Sequence, residues 1–443
     1  MADERHASTM RAKFSRVYTL LGQRTLLINT ATLLSGSVLS LIASLAFAPV
    51  LARIYSPADF GALGVYVGVV SIGSVLAALR YEQAIVLPES DADGRGLLWL
   101  SLGLVLAASL IVAVFSLLLF VGAPELHDDV RSALLWLAPG MFATAAYQVL
   151  VFWRVRSGEY MQVSYTRVIR SVAIGSSQTA LALVGAGAGG LIAGQVAGQL
   201  AALGAVWSKG RDAGNSTPRS LPRKGELLRL AREHQNFPMY DLPQAALNSV
   251  SQQAPVFLLA SLASASSAGL FVMAIRVLML PVTMAGQSVR PVLLQKTSAT
   301  KNRGECIRPI ILSGVLALAL IGALPMTILL LAGPWLFELF LGREWREAGL
   351  YASIMAPWLF LVFIKEAVMA LVPVLGAQRM MLKTEAASLI ARVLGIALGA
   401  AVGGAVGAVV VLSAIGSVVN MFVIWRLMDR ARIHDASVGR AVA

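Results

Sequence analysis

The sequence predicts an all-α membrane protein with about twelve transmembrane helices in two six-helix bundles, related by pseudo-twofold symmetry around a central cavity. Three observations predict this fold. Hydrophobic residues make up 57% of the 443 residues and charged residues only 13%, which is more apolar surface than a water-soluble core can bury. Stretches of roughly 20 nearly uncharged residues, each long enough to cross a hydrocarbon core, recur along the whole chain. Basic residues concentrate in alternate loops.

Hydropathy places twelve spans along the chain. They cover residues 26–51, 60–79, 96–121, 132–152, 160–184, 189–207, 239–262, 268–289, 309–331, 350–374, 384–402 and 404–425. Short turn sequences, such as Ser56-Pro57-Ala58-Asp59, separate neighbouring spans and suit tight helical hairpins. The split of residues 380–425 into two spans depends on the pair Gly403-Gly404.

The distribution of Lys and Arg predicts the orientation. The N-terminal tail, the even-numbered loops and the C-terminal tail hold 27 of the 36 basic residues, the other six loops hold four, and five lie within spans. Because cytoplasmic loops carry the excess of basic residues, we expect both termini in the cytoplasm and the chain in a bacterial inner (cytoplasmic) membrane. The net charge of +13 follows from the same bias, so no nucleic-acid partner is needed to explain it. Residues 1–24 are polar and basic, and we expect no removable signal peptide.

The longest polar interruption divides the chain into two halves. We expect a cytoplasmic N-terminal tail at 1–25, an N-terminal six-helix bundle at 26–207, a basic cytoplasmic linker at 208–238, a C-terminal six-helix bundle at 239–427 and a cytoplasmic C-terminal tail at 428–443. The linker is interpreted as a plain topogenic segment, and residues 225–233 are a candidate for a short amphipathic helix against anionic lipid.

The two halves carry a weak internal repeat. Asp59-Phe60-Gly61-Ala62-Leu63 in span two has a counterpart in Ala268-Gly269-Leu270 of span eight, and Arg80 and Arg290 are predicted to close these two spans. Because both halves should begin and end on the same side, they are expected to be parallel repeats that rock around a central site.

Five basic residues within the predicted spans carry most of the functional information. An arginine near the bilayer centre costs about 2.5–3.5 kcal/mol on insertion scales, so it needs a partner or an aqueous cavity. Glu366 is the only deep carboxylate, so internal pairing cannot neutralise the set. A cavity with surplus positive charge favours an anionic substrate, and guanidinium groups suit a phosphate or diphosphate; for any single residue, snorkelling is the alternative. The predicted substrate-binding residues of this cationic cavity are Arg167, Arg170, Arg276, Lys365 and Arg392.

Further polar residues complete the candidate site. Asn29, Asn248 and Gln252 are candidates for hydrogen bonds to sugar hydroxyls, with interhelical hydrogen bonds as the alternative. Glu366 is a candidate for proton coupling, with a buried structural acid as the alternative. The single cysteine, Cys306, and four histidines in tails or loops argue against metal catalysis, so we expect no catalytic residue, metal or cofactor.

A sequence motif covers the first two spans. It reads LARIYSPADFGAL at residues 51–63 and LRYEQAI at residues 79–85. This motif resembles the start of the Wzx-type polysaccharide flippases of the multidrug/oligosaccharidyl-lipid/polysaccharide exporter superfamily, and the twelve-span layout with a central linker matches that family over essentially the whole chain.

The resemblance implies a function. It implies that an undecaprenyl-diphosphate-linked oligosaccharide is moved from the cytoplasmic to the periplasmic leaflet by alternating access, with H⁺ or Na⁺ coupling, for O-antigen, capsule or exopolysaccharide biosynthesis. The stretch Arg80-Tyr81-Glu82 is carried over from the family as an element where the substrate enters, and Asp241 joins it as a candidate for entry or coupling. An ordinary cytoplasmic helix end is the alternative interpretation.

Other functions are weighed against this one. A multidrug or organic-ion exporter of the same superfamily would share the fold but should have an acidic cavity. A lipid II flippase is a second alternative, but lipid II flippases usually carry two helices beyond the twelve predicted here. A membrane-embedded polysaccharide polymerase or ligase would need a large external loop with catalytic Arg or His, whereas the longest external loop, 332–349, contains no His. We therefore expect a transporter and not an enzyme, whose partners are the lipid-linked substrate, membrane lipids and, as further candidates, a polysaccharide polymerase or glycosyltransferase.

Overall fold

A computed structural model describes residues 35–123, 125, 128–208 and 222–442, and all regular secondary structure in these residues is helical. The start of predicted span one, including Asn29, and the linker segment 209–221 lie outside the described residues. The linker contains a helix, Lys224–Glu233, that lies at one end of the helical bundle. We call this end of the bundle the linker end, and we call the other end the opposite end.

The N-terminal half contains six long helices and one short one. They are α1 (Ser35–Ala52), α2 (Pro57–Ala77), α3 (Tyr81–Ala84), α4 (Asp91–Gly122), α5 (Asp128–Arg156), α6 (Tyr160–Ala182) and α7 (Gly187–Ser208). Helix α2 begins at Pro57, three residues before the predicted start of span two at 60, because Ser56 caps it and the Asp59 carboxylate accepts a 2.9 Å hydrogen bond from the Ser56 backbone N–H.

The C-terminal half follows the linker helix α8 (Lys224–Glu233) and a π-helical turn at Phe237–Asp241. Its helices are α9 (Leu242–Leu262), α10 (Ala265–Asn302), α11 (Arg308–Leu341), α12 (Arg346–Val368), α13 (Leu371–Val374) and α14 (Gln378–Val442), with a 3₁₀ turn at Arg343–Trp345. Helix α14 breaks at Gly403 and Gly404, where Gly404 adopts φ +59° and ψ −146°, a conformation essentially restricted to glycine. The break divides α14 into two spans, as the glycine pair predicts.

Each of the twelve predicted spans coincides with a helix over those of its residues that the structure describes. Eight of the described helices are apolar and long enough to cross a membrane as single elements, and α10 joins them as a span bent by 40°. The break in α14 adds one more span. Helices α6 and α9 are long enough but more polar, and both contribute side chains to the central cavity described below.

Several predicted boundaries are wrong. Helix α11 continues to Leu341, beyond the predicted end at 331, and α14 continues to Val442, beyond the predicted end at 425. Helix α10 continues to Asn302, so Arg290 lies inside it and does not close the span as Arg80 does after α2. Hydropathy falls after residue 289, but no proline or glycine between Val292 and Asn302 stops the helix. Helix α12 ends at Val368, before the predicted end of span ten at 374, and the last residues of that predicted span form the separate short helix α13.

The linker helix α8 packs on the N-terminal half. Leu230 is 2% exposed and lies against Gly96 of α4, Arg229 forms an ion pair with Asp93, and the Tyr81 hydroxyl donates a 2.9 Å hydrogen bond to the Ala231 carbonyl. The candidate linker helix is therefore present, and it packs against the linker end of the N-terminal half. Its interaction with anionic lipid stays a prediction.

Three clusters of buried apolar residues form the core. One cluster, at the opposite end, joins both halves and includes Phe60, Leu191, Trp345 and Leu412. At the linker end each half has its own cluster, around Tyr147 in the N-terminal half and around Phe363 in the C-terminal half. In this structure the halves therefore share an apolar core at the opposite end and have separate cores at the linker end.

Candidate functional site

A central cavity of about 740 Å³, the main cavity, lies between the two halves. Helices α1, α2, α5, α6 and α7 of the N-terminal half and α9, α10, α12 and α14 of the C-terminal half line it. Its lining residues lie near the middle of their helices, so the cavity is at the depth of the bilayer interior.

Three of the predicted cations meet in the main cavity: Arg170 of α6, Arg276 of α10 and Arg392 of α14. The Arg170 guanidinium lies 5.3 Å from the centroid of the Tyr147 ring, which orients it by a cation–π contact. The Arg276 Nη2 donates hydrogen bonds to the Ser44 hydroxyl at 2.6 Å and to the Ser44 carbonyl at 3.1 Å. Neutral groups therefore hold these two cations in place.

The third cation, Arg392, has an acidic neighbour, but the two side chains are not in close contact. Arg392 lies 6.0 Å from the Trp358 ring centroid, and its Nη1 is 4.0 Å from the Glu385 carboxylate. Glu385 in turn accepts a 2.9 Å hydrogen bond from the Ser251 hydroxyl. Within the part of the chain that the structure describes, no Asp or Glu lines the main cavity, so the cavity wall carries surplus positive charge.

A second cavity, of about 480 Å³, adjoins the main cavity on the side of the linker end. Arg167 lines this linker-end cavity and donates a hydrogen bond to the Ser37 hydroxyl of α1. Arg170 and Gln148 line both cavities, so the two spaces share a wall. A cationic path therefore leads from Arg167 to the three arginines of the main cavity.

The remaining predicted residues lie elsewhere. Lys365 and Glu366 of α12 are half-buried but line neither cavity, and Lys365 lies two turns nearer the linker end than the cavity residue Trp358. Glu366 faces α10, since a Cβ at Gly286 would lie 2.9 Å from its Oε2. Gln252 lines the main cavity, whereas Asn248 is exposed and lines neither cavity.

Three predicted residues, Arg80, Glu82 and Asp241, meet at the linker end. Leu79 and Arg80 have φ of +50° and +66°, and this left-handed turn after α2 places Arg80 beside the C-terminal half. The Arg80 Nε lies 2.7 Å from the Asp241 carboxylate, and its Nη1 lies 3.4 Å from Glu82. Glu82 is 3% exposed, and one carboxylate oxygen lacks a hydrogen-bond partner among the described residues. Burial raises the pKa of Glu82, opposed by its backbone hydrogen bond and by Arg80.

Sequence reasoning missed a group of amides in the main cavity. They are Gln148, Gln178, Gln195 and Gln199. A signal for two of them was present, because Gln195 and Gln199 are four residues apart and share one face of an otherwise apolar span.

The opposite end is closed by direct contact between counterparts of the internal repeat. Gly61 of α2 and Gly269 of α10 let the two backbones cross so closely that a Cβ at Gly269 would lie 2.7 Å from the Gly61 nitrogen and nearer still to the Pro57 carbonyl. Beside this crossing, the buried Trp345 Nε1 donates a 2.7 Å hydrogen bond to the Ala52 carbonyl, and the Trp345 and Phe60 rings meet edge to face at 5.2 Å. The cavities therefore lie on the linker side of a tight seal.

Two similar helical halves around a polar cavity at bilayer depth define a multi-pass membrane protein of the transporter class. Residues 50–349 match the model of a family described as polysaccharide biosynthesis proteins, and the chain belongs to that family. This finding confirms the family resemblance seen in the motif around residues 51–85. A comparison with curated protein sequences finds no significant match.

Solved structures with the same fold are transporters and a flippase. A lipid II flippase, MurJ, in an inward closed conformation has a TM-score of 0.69 at 11% identity, covering 93% of this chain and 90% of its own. An inward-facing multidrug resistance MATE transporter of the MOP superfamily has a TM-score of 0.63 at 14% identity, covering 93% and 96%. A Vibrio cholerae MATE transporter has a TM-score of 0.53 at 15% identity, covering 92% and 96%. At these identities the likeness shows the fold.

Proposed function

We propose that the protein is a flippase that translocates an undecaprenyl-diphosphate-linked oligosaccharide across the bacterial inner membrane, for O-antigen, capsule or exopolysaccharide biosynthesis. One observation carries the proposal: Arg170, Arg276 and Arg392, from both halves, line one cavity to which no described acidic residue contributes. A diphosphate has the negative charge and the acceptor oxygens that such a set of guanidinium groups binds best.

The sign of the cavity charge separates this cargo from organic cations. A cationic drug in the main cavity would meet three guanidinium groups, with Glu385 behind the wall as the nearby acid. Coulomb repulsion between like charges in a low-dielectric interior is unfavourable, so a cation exporter is disfavoured. The membership in a polysaccharide biosynthesis family supports a glycan as the rest of the cargo.

The distribution of the cores supports alternating access. The halves share a core and the Gly61–Gly269 crossing at the opposite end, while each half has its own core at the linker end. The excess of Lys and Arg in the linker-end loops favours the cytoplasm for that end. We therefore propose that this arrangement receives cargo from the cytoplasmic leaflet, through the linker-end cavity.

The coupling ion is proposed to be a proton bound at Glu82. This carboxyl is buried, its pKa is raised by burial, and it lies beside the Arg80–Asp241 ion pair that joins the two halves. Protonation of Glu82 removes one of the two carboxylates that face Arg80, and thereby changes a contact between the halves.

Gene deletion tests the proposal. We expect diphosphate-linked oligosaccharide to accumulate in the cytoplasmic leaflet and surface glycan to disappear, and complementation with Arg170→Ala or Arg392→Ala to fail at normal protein level. Arg343→Ala is the matched control, because the Arg343 side chain is 96% exposed at the opposite end, outside the cavities, and this variant should restore surface glycan. Normal surface glycan in the deletion strain, or full export by both cavity variants, would contradict the proposed function.

A further inference from the structure

The part of the main cavity formed by α2, α5 and α7 differs from the rest, because no charged residue among the described ones lines it. A recess of about 40 Å³ opens between these three helices. Four polar residues line both the recess and the main cavity, and we call them the amide wall: Ser71, Thr144, Gln195 and Gln199.

The amide wall contains a hydrogen-bonding group that the protein does not use. Gln199 is 7% exposed, and its side-chain oxygen is buried without a hydrogen-bond partner in the described part of the protein. A buried polar atom of this kind costs free energy unless water or a ligand satisfies it. Gln178 is a useful contrast, because its amide nitrogen donates a 2.9 Å hydrogen bond to the Leu191 carbonyl and thus joins α6 to α7.

The chemistry of an amide differs from that of a guanidinium group. An amide offers both a donor and an acceptor, as a sugar hydroxyl does, whereas an arginine only donates and a phosphate oxygen only accepts. The arginines and the amide wall thus select different parts of one molecule.

We propose that the amide wall is a saccharide subsite, which binds the hydroxyl groups of the sugar next to the diphosphate while Arg170, Arg276 and Arg392 bind the diphosphate. This inference rests on the proposed flippase function and names the part of the site that recognises the glycan. A recess of about 40 Å³ admits one small substituent, such as a hydroxymethyl group, since about 10–15 Å³ of such space is enough for one water molecule. The sugar ring itself lies in the main cavity.

Binding to two lipids tests the subsite. The full-length protein is purified in detergent, and its affinity is measured for undecaprenyl diphosphate, which has no sugar, and for the lipid-linked oligosaccharide extracted from the gene-deleted source cells. We expect Gln195→Leu and Gln199→Leu each to weaken binding of the oligosaccharide lipid by about tenfold, the effect of one or two lost hydrogen bonds, and to leave binding of undecaprenyl diphosphate unchanged. Arg170→Gln should weaken both.

Controls keep the outcomes distinct. Gln162→Leu removes a partly buried amide on α6 outside both cavities and should bind both lipids as the wild type does. If Gln199→Leu does not fold, Gln195→Leu decides the matter, because Gln195 is only partly buried. Wild-type affinity of the glutamine variants for the oligosaccharide lipid, or equal loss for both lipids, overturns the saccharide subsite. Failure of the wild type to bind either lipid overturns the flippase proposal itself.

Discussion

The crossing of α2 and α10 should control access to the cavities from the opposite end, and Gly269→Ala tests this. The added Cβ would lie 2.7 Å from the Gly61 nitrogen and 2.8 Å from the Pro57 carbonyl carbon, where real Cβ contacts essentially never fall below 3.0 Å. Both neighbours are backbone atoms, so no side chain can rotate away. The two helices must therefore separate, and the seal between the halves must loosen.

The expected size of the effect follows from the cost of overpacking. Inserting a methyl group into a close-packed contact typically costs about 1–3 kcal/mol. If that cost falls on the closed arrangement alone, the ratio of closed to open molecules falls by about 5- to 150-fold. A protein that is about 99% closed would then have a readily measurable open population.

Spin-label distance measurements can detect this shift. Cys306, the single cysteine, is replaced by serine, and labels are placed at Leu183 and Val402, which are 83% and 92% exposed at the opposite end of the two halves. We expect a longer distance in Gly269→Ala than in the labelled parent. Gly103→Ala is the matched control, because a Cβ at Gly103 meets nothing within 4 Å. An unchanged distance distribution in Gly269→Ala would refute the assignment of this crossing as the seal.

Three further predictions concern the linker end and the last two spans. Asp241→Arg should widen the linker end by breaking the ion pair with Arg80. Arg80→Asp in the same chain should restore this contact only in part, because Glu82 would then face a second carboxylate. Because the Arg80 and Asp241 side chains are 20% and 35% exposed, the double-mutant coupling energy should be about 1 kcal/mol or less. Burial raises the pKa of Glu82, so the folded protein favours the neutral carboxyl group. The stability of the fold should therefore be greatest below the usual carboxyl pKa of about 4.5 and should fall as the pH rises through the raised pKa. Glu82→Gln should flatten the dependence of Tm on pH. Gly404→Ala should lower stability by about 1–3 kcal/mol in thermal unfolding, because φ +59° with ψ −146° is a glycine conformation, whereas Gly103→Ala should leave Tm unchanged or higher.

The sequence predicted the helices well because hydrophobic length is a strong signal. Within the described residues every predicted span coincides with a helix, including the split at Gly403 and Gly404, where the backbone conformation itself requires glycine. The end of α10 could not be predicted in this way, since hydropathy reports where lipid ends and not where a helix ends. Polar residues such as Gln295 and Lys296 continue the helix beyond the apolar segment.

The candidate site was predicted in part. Charge at bilayer depth identified Arg170, Arg276 and Arg392, because an ionised side chain there needs a cavity or a partner. The bends and crossings of the helices decide which charged residues share a cavity. Lys365 is on the same helix as the cavity residue Trp358, so the sequence alone could not distinguish it from the three arginines that line the cavity. The N-terminal glutamines were missed because an uncharged amide in an apolar span gives a weaker signal than an arginine.

The arrangement of the three arginines also explains how an anion could drive closure of the linker end. Arg170 belongs to the N-terminal half, whereas Arg276 and Arg392 belong to the C-terminal half. At the linker end the halves have separate cores, and the Arg80–Asp241 pair is an ionic contact that joins them there. A diphosphate bound by Arg170 on one side and by Arg276 and Arg392 on the other adds attraction across this gap. This attraction is stronger when the linker end is closed, and a ligand shifts a conformational equilibrium only by such a difference in its affinity for the two conformations. A neutral lipid has no such interaction, so the three arginines that we propose to bind the cargo would also make the change of conformation depend on the cargo.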